Sequence, residues 1–163
     1  MNPSSPPAIT ALRRRVTATA AVMLMLWSGA ALPAAAQDSI LQGLRGEQLK
    51  EADLAQGATI FIVWASWSPH SRDVVERVNR VAQRWNGKAR VVTVNFQEER
   101  GVAEGFLAGK GLGAPVFLDP DGSFSKKYAM AWLPGLLIIK DGRVAYRGKL
   151  PEDPDRVIVE ILG

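Results

Sequence analysis

Two serine hydroxyls and an imidazole stand close together at Ser68, His70 and Ser71, with Pro69 between them. That combination first suggests nucleophilic catalysis, in which a serine attacks, a histidine takes its proton and a third group orients the imidazole. The spacing argues against it. Residues one or two apart on a helix do not face one another, so His70 is poorly placed to act as base for either serine. His70 is also the only histidine, and the chain contains no cysteine. One imidazole falls short of the ligand sets that hold zinc or copper, so no metal site and no cofactor is expected.

The elements that must position these groups are legible around them. Ile60-Phe61-Ile62-Val63-Trp64 is an apolar run rich in β-branched and aromatic residues. Beyond Ser68-Pro69 the apolar positions Val74, Val78, Val81 and Trp85, joined by Val75 and Ala82, recur every three or four residues. A buried strand over 58–65 is therefore expected to feed directly into a helix from Pro69 to Trp85, ended by Asn86-Gly87. Pro69 suits the first helical position. Ser68 just before it is the expected N-cap, its hydroxyl accepting from a free N–H. Any site is expected at this junction.

The junction resembles a known one. The pattern W-A-x-W-C-x-x-C at a strand-to-helix turn marks thioredoxin-like thiol-disulfide oxidoreductases, particularly the exported TlpA/ResA type. Here it reads Trp64-Ala65-Ser66-Trp67-Ser68-Pro69-His70-Ser71, with serine at both cysteine positions. Phe117-Leu118-Asp119-Pro120-Asp121-Gly122 and the stretch from Leu133 to Val144 extend the resemblance over nearly all of 37–163. It implies an α/β chain with the thioredoxin fold, a central mixed sheet flanked by helices, with the TlpA/ResA-type helical insertion. It also implies oxidoreductase ancestry, but thiol-disulfide exchange requires a thiolate to attack sulfur, and a serine hydroxyl cannot form the mixed disulfide. Ser68 and Ser71 are read as degenerate redox positions.

Two further departures bear on that chemistry. In this family a carboxylate three residues after the second cysteine often handles protons, and classical thioredoxins instead bury an aspartate six residues before the first. Those positions hold Val74 and Ile62. Asp73 is one residue out of register, roughly 100° round the helix, and is expected in solvent where its charge favours the helix N-terminus. His70 reads as an exposed remnant of the redox motif.

Along the rest of the chain, 37–56 with Leu41, Leu44, Leu49 and Leu54 is expected to form one edge strand or ribbon. A second buried strand over 89–96 is expected parallel to the first. Helices are expected over 98–107 and 123–130, with a short extended piece at 116–118 and a turn at Asp119-Pro120-Asp121-Gly122. Strands over 136–140 and 143–148 are joined by Asp141-Gly142, a strong hairpin signal. Pro151 to Pro154 is expected to break the chain before a closing helix from Arg156 to Leu162.

Arg13-Arg14-Arg15 precedes an apolar segment from Val16 to Leu32, and Pro33-Ala34-Ala35-Ala36 offers small residues to a signal peptidase. Residues 1–36 are read as a signal peptide removed after Ala36, 37–57 as a lead-in and 58–163 as the thioredoxin-like domain. Periplasmic or secreted location follows, with no stable membrane anchor after cleavage. The three arginines are the only charges in 1–36, so without them the 20 basic residues come close to balance with the 16 acidic ones. That balance excludes a nucleic-acid-binding surface as the expected role.

Pro134 is the second landmark, since the resemblance places a cis proline there, facing the 68–71 turn, with the Leu133 backbone free to pair with a bound peptide. Trp64 and Trp85 fall at core positions, whereas Trp67 flanks the turn and Trp132 the proline loop. Trp67, Pro69, His70, Trp132, Leu133 and Pro134 are expected to border one groove. The function expected is that of a redox-inactive, thioredoxin-like periplasmic protein that binds extended peptides or partner proteins there. The alternative is an oxidoreductase by resemblance, needing a partner's cysteines.

Overall fold

The structure, a computed structural model, describes residues 39–163, so the expected signal peptide over 1–36 lies outside the described residues. Period-two alternation sorts the strands onto two faces of one sheet. In strand β3 (Ala58–Trp64), Ile60, Ile62 and Trp64 enter one core and Phe61 and Val63 the other. Strands β4 (Arg90–Phe96) and β6 (Gly135–Lys140) divide in the same way. Both faces are thus apolar, and both must be covered.

Helix α1 (Val74–Trp85) covers the first face with Val74, Val78, Val81 and Trp85. Helix α2 (Arg100–Leu107) adds Ala103, and helix α4 (Pro154–Leu162) adds Ile158. Helix α3 (Ser123–Lys127) covers the second face with Phe124, joined by Tyr128 just beyond it and by Leu41, Leu49 and Leu54 of the lead-in. Burying one large apolar side chain contributes about 1.5–3 kcal/mol.

The lead-in is a two-stranded ribbon of β1 (Ser39–Gly43) and β2 (Gln48–Lys50), which joins the sheet through strand β5 (Val116–Asp119). With β7 (Arg143–Lys149), the sheet has the order β2-β1-β5-β4-β3-β6-β7. β3, β4 and β5 run parallel, while β6 is antiparallel to β3 and to β7. This is the mixed, helix-flanked sheet expected. The β6–β7 turn takes positive φ at both Asp141 (51°) and Gly142 (76°), as a two-residue hairpin of that twist requires. Glu51 pairs with Lys127, raising the pKa of that ammonium, while burial raises that of the Tyr128 phenol. Lead-in and α3 are thereby tied together.

Several element bounds differ from the sequence expectation, each for a visible reason. The helix expected from Pro69 is a 3-10 turn over Pro69–Ser71, and the α-helix begins only at Val74. Ser68 makes no side-chain cap. Its carbonyl accepts the Ser71 N–H at 2.9 Å, and its hydroxyl is engaged elsewhere. The second helix starts at Arg100 rather than Glu98, because the Glu98 side chain turns inward and Gln97 adopts positive φ (52°). The third helix stops at Lys127 rather than 130, where Ala129 turns left-handed (φ 48°) and the Met130 N–H reaches back to the Ser125 carbonyl at 2.8 Å. Pro154 does not break the chain before α4 but opens that helix, where its missing N–H costs nothing.

Candidate functional site

The parallel strands β3 and β4 end side by side, and β6, antiparallel to β3, begins at the same end, with Gly135 opposite Val63. The motif loop that follows β3, the segment that follows β4 and the proline loop before β6 therefore converge there. Ligands in such sheets gather beyond the carboxyl ends of the parallel strands.

Glu98 organises this end. It is 7% exposed, and its carboxylate accepts the Ser66 backbone N–H at 2.8 Å, the Ser66 hydroxyl and the Asn95 side-chain amide. Three donors from the ends of two strands converge on one buried carboxylate, which fixes the first residues of the motif loop. Sequence reading missed this role and placed Glu98 on a helix. The available signal was an acidic side chain two residues after a buried parallel strand, where charge is costly unless it is paired.

Trp67 follows Ser66 and is 59% exposed. Ser68 is buried, and its hydroxyl donates to the Leu133 carbonyl at 3.2 Å, linking the motif loop to the proline loop. The Leu133–Pro134 peptide is cis. Trp132, 46% exposed, precedes Leu133 just as Trp67 precedes Ser68. Both large exposed aromatics therefore flank one hydrogen bond.

Behind this junction the family's redox positions are packed away. Ser71 is fully buried, and its hydroxyl has no hydrogen-bond partner among the described residues. Val74 and Ile62, at the proton-handling positions, lie in the first core. Asp73 is exposed at the N-cap of α1, with its carboxylate 3.7 Å from the Arg77 guanidinium. Arg77 is buried and donates to the carbonyls of Leu150 (2.8 Å) and Pro151, while the Leu150 N–H donates to the Pro134 carbonyl at 3.0 Å. Arg77, too, escaped the sequence reading, and it secures the proline loop from below.

The expected groove residues fall on two depressions. Pro69, His70 and Pro134 line a cleft of about 490 Å³ together with Arg77 and Lys149. Trp132 and Leu133 line a recess of about 230 Å³ with Val63, Phe96 and Met130. Trp67 lines neither. Gly135 matters to the second depression. A Cβ there would lie 2.6 Å from the Met130 methyl and 2.7 Å from the Trp132 carbonyl oxygen, so only glycine permits this loop path without a shift. Among the described residues no group of histidine and carboxylate side chains could hold a metal ion, and no helix is long and apolar enough to cross a membrane.

A mixed sheet covered on both faces, with a strand-to-helix turn facing a cis-proline loop, defines a thioredoxin-like protein. Residues 28–162 match the Redoxin family, and the chain belongs to it. Among solved structures it resembles a candidate thiol:disulfide interchange protein DsbE from Chlorobium tepidum. The two are 27% identical with a TM-score of 0.65, over 76% of this chain and 92% of the other. The exposed lipoprotein thioredoxin Etrx1 of Streptococcus pneumoniae strain TIGR4 has a TM-score of 0.64 at 19% identity, over 74% and 95%. StoA of Bacillus subtilis has a TM-score of 0.60 at 21% identity, over 72% and 90%. The last two speak for the fold alone. A comparison with curated proteins finds no significant match. The chain is thus a cysteine-free member of a redox family, with serine at both positions of the motif.

Proposed function

We propose that this protein is a redox-inactive, exported binding module that holds an extended segment of a peptide or partner protein along the Ser68–Leu133 junction. The carrying observation is the pair of exposed tryptophans, Trp67 and Trp132, on either side of that junction, beside a motif whose sulfur chemistry is gone. Exposed aromatics at one place cost solubility unless something covers them. The Leu133 N–H has no partner among the described residues, so a backbone carbonyl of an extended chain could pair there. Trp67, Pro69, His70, Trp132, Leu133 and Pro134 are the residues assigned to contact. Export is supported by the pattern of residues 1–36.

A peptide array read by tryptophan quenching tests the proposal. Extended apolar peptides should quench with affinity on the order of micromolar, since a small contact must offset the entropy of ordering the peptide. Binding should persist in reductant and after thiol-blocking reagents, and Trp132→Ala should weaken it at least about tenfold. Absence of quenching by every peptide, or unchanged binding in Trp132→Ala, would sink the proposal.

A further inference from the structure

Strand β7 lies last in the sheet and pairs only with β6, so the backbone groups along its other side have no partner among the described residues. A bare edge is a template for another extended chain. This one runs for seven residues without a proline, and Arg143, Val144, Ala145, Arg147 and Lys149 are all exposed. Its charge has one sign. Lys140 stands across from Arg143 at the hairpin end, while Arg147 and Lys149, two residues apart, share one face of the strand. All four are exposed, and none forms an ion pair among the described residues. Arg147 donates to the Tyr128 carbonyl at 3.0 Å, a neutral partner that leaves its charge unbalanced. Asp141, the only acid over 140–149, is already engaged, since its carboxylate accepts the Gly57 N–H at 2.9 Å.

We propose that the β7 edge takes up an extended acidic segment of a partner protein, whose backbone continues the sheet and whose carboxylates face Arg143, Arg147 and Lys149. Strand addition of this kind draws affinity from main-chain hydrogen bonds and specificity from the side chains. Basic residues and a bulge also guard edges against their own kind, and β7 has both, its register with β6 shifting at Ala145. That guard decides the partner. In a pairing of two β7 edges like charges would meet, which is destabilising, whereas an acidic strand sets opposite charges across from them. None of the residues assigned to the groove lies on β7, so this surface and the groove can fail separately.

The test is an amide NMR titration of the purified protein with capped peptides as long as β7. One alternates valine with glutamate, a second has lysine in place of glutamate, and a third is the glutamate peptide fully N-methylated, which keeps the charge and removes the backbone donors. The glutamate peptide should shift the amides of 143–149 and bind at least about tenfold more tightly than either of the others. Arg143→Glu combined with Lys149→Glu, both exposed, should bring the glutamate and lysine peptides within about threefold. Equal binding of the glutamate peptide and its N-methylated form would reduce the surface to charge attraction and overturn strand addition. The proposal is also overturned by a preference that survives the double variant, by shifts confined to residues outside β7, or by shifts of the same amides with protein concentration alone, which would make a second copy the occupant.

Discussion

The two loops that meet at the Ser68–Leu133 hydrogen bond have opposite characters. On the motif side, the positions that carry redox chemistry in the family are closed: Ser71 is fully buried with its hydroxyl unpaired among the described residues, and Val74 and Ile62 belong to the core. On the proline side the surface stays open, with Trp132 exposed and a recess behind it. A thiolate and its proton carrier are single side chains, whereas the surface between the two loops is made by the fold itself, so the binding proposed above does not depend on the sulfur chemistry.

The comparison can be broken most severely at Glu98. If the closed side holds the motif loop in place for the open side, Glu98→Ala should cost about 3 kcal/mol in urea denaturation, since three donors lose a charged acceptor. Glu98→Gln, which keeps one acceptor oxygen, should cost roughly half as much. A loss below about 1 kcal/mol for the alanine variant would mean that solvent replaces the carboxylate and the loop needs no such tie.

On the open side, Gly135→Ala should cost about 2 kcal/mol and shift Trp132 emission, because the added Cβ meets the Trp132 carbonyl at 2.7 Å and backbone must move. Unchanged emission with little loss of stability would show that the proline loop adapts freely, and the recess with it.

The smallest effects sharpen the contrast at the two serines. Ser68→Ala should lose about 1 kcal/mol, because its hydroxyl links the two loops rather than capping a helix. Ser71→Ala should instead stabilise by about 1 kcal/mol, because it removes a buried hydroxyl that pairs with nothing described. Equal losses at both positions in thermal denaturation would contradict the difference drawn between them.

Local pattern determined much of this protein. Alternation in β3 and β6, the three-and-four spacing from Val74 to Trp85 and the Asp141-Gly142 turn are statements about neighbouring residues, and each element formed within a few residues of its expected place. The absence of thiol chemistry needed only the composition. The exposure of Trp67 and Trp132 and the burial of Trp64 and Trp85 also followed from position in the pattern. What the tertiary structure alone decided were the partners of the polar groups. Ser68 was expected to cap its own helix and instead reaches Leu133, 65 residues away, while Glu98 was expected to begin a helix and instead accepts from Ser66, 32 residues earlier. A hydroxyl or carboxylate has several acceptable partners within a few residues, and their free energies differ by about 1 kcal/mol or less. Packing of the two cores sets which of those partners lies within reach, and the same packing leaves Ser125 and Ser71 with none among the described residues.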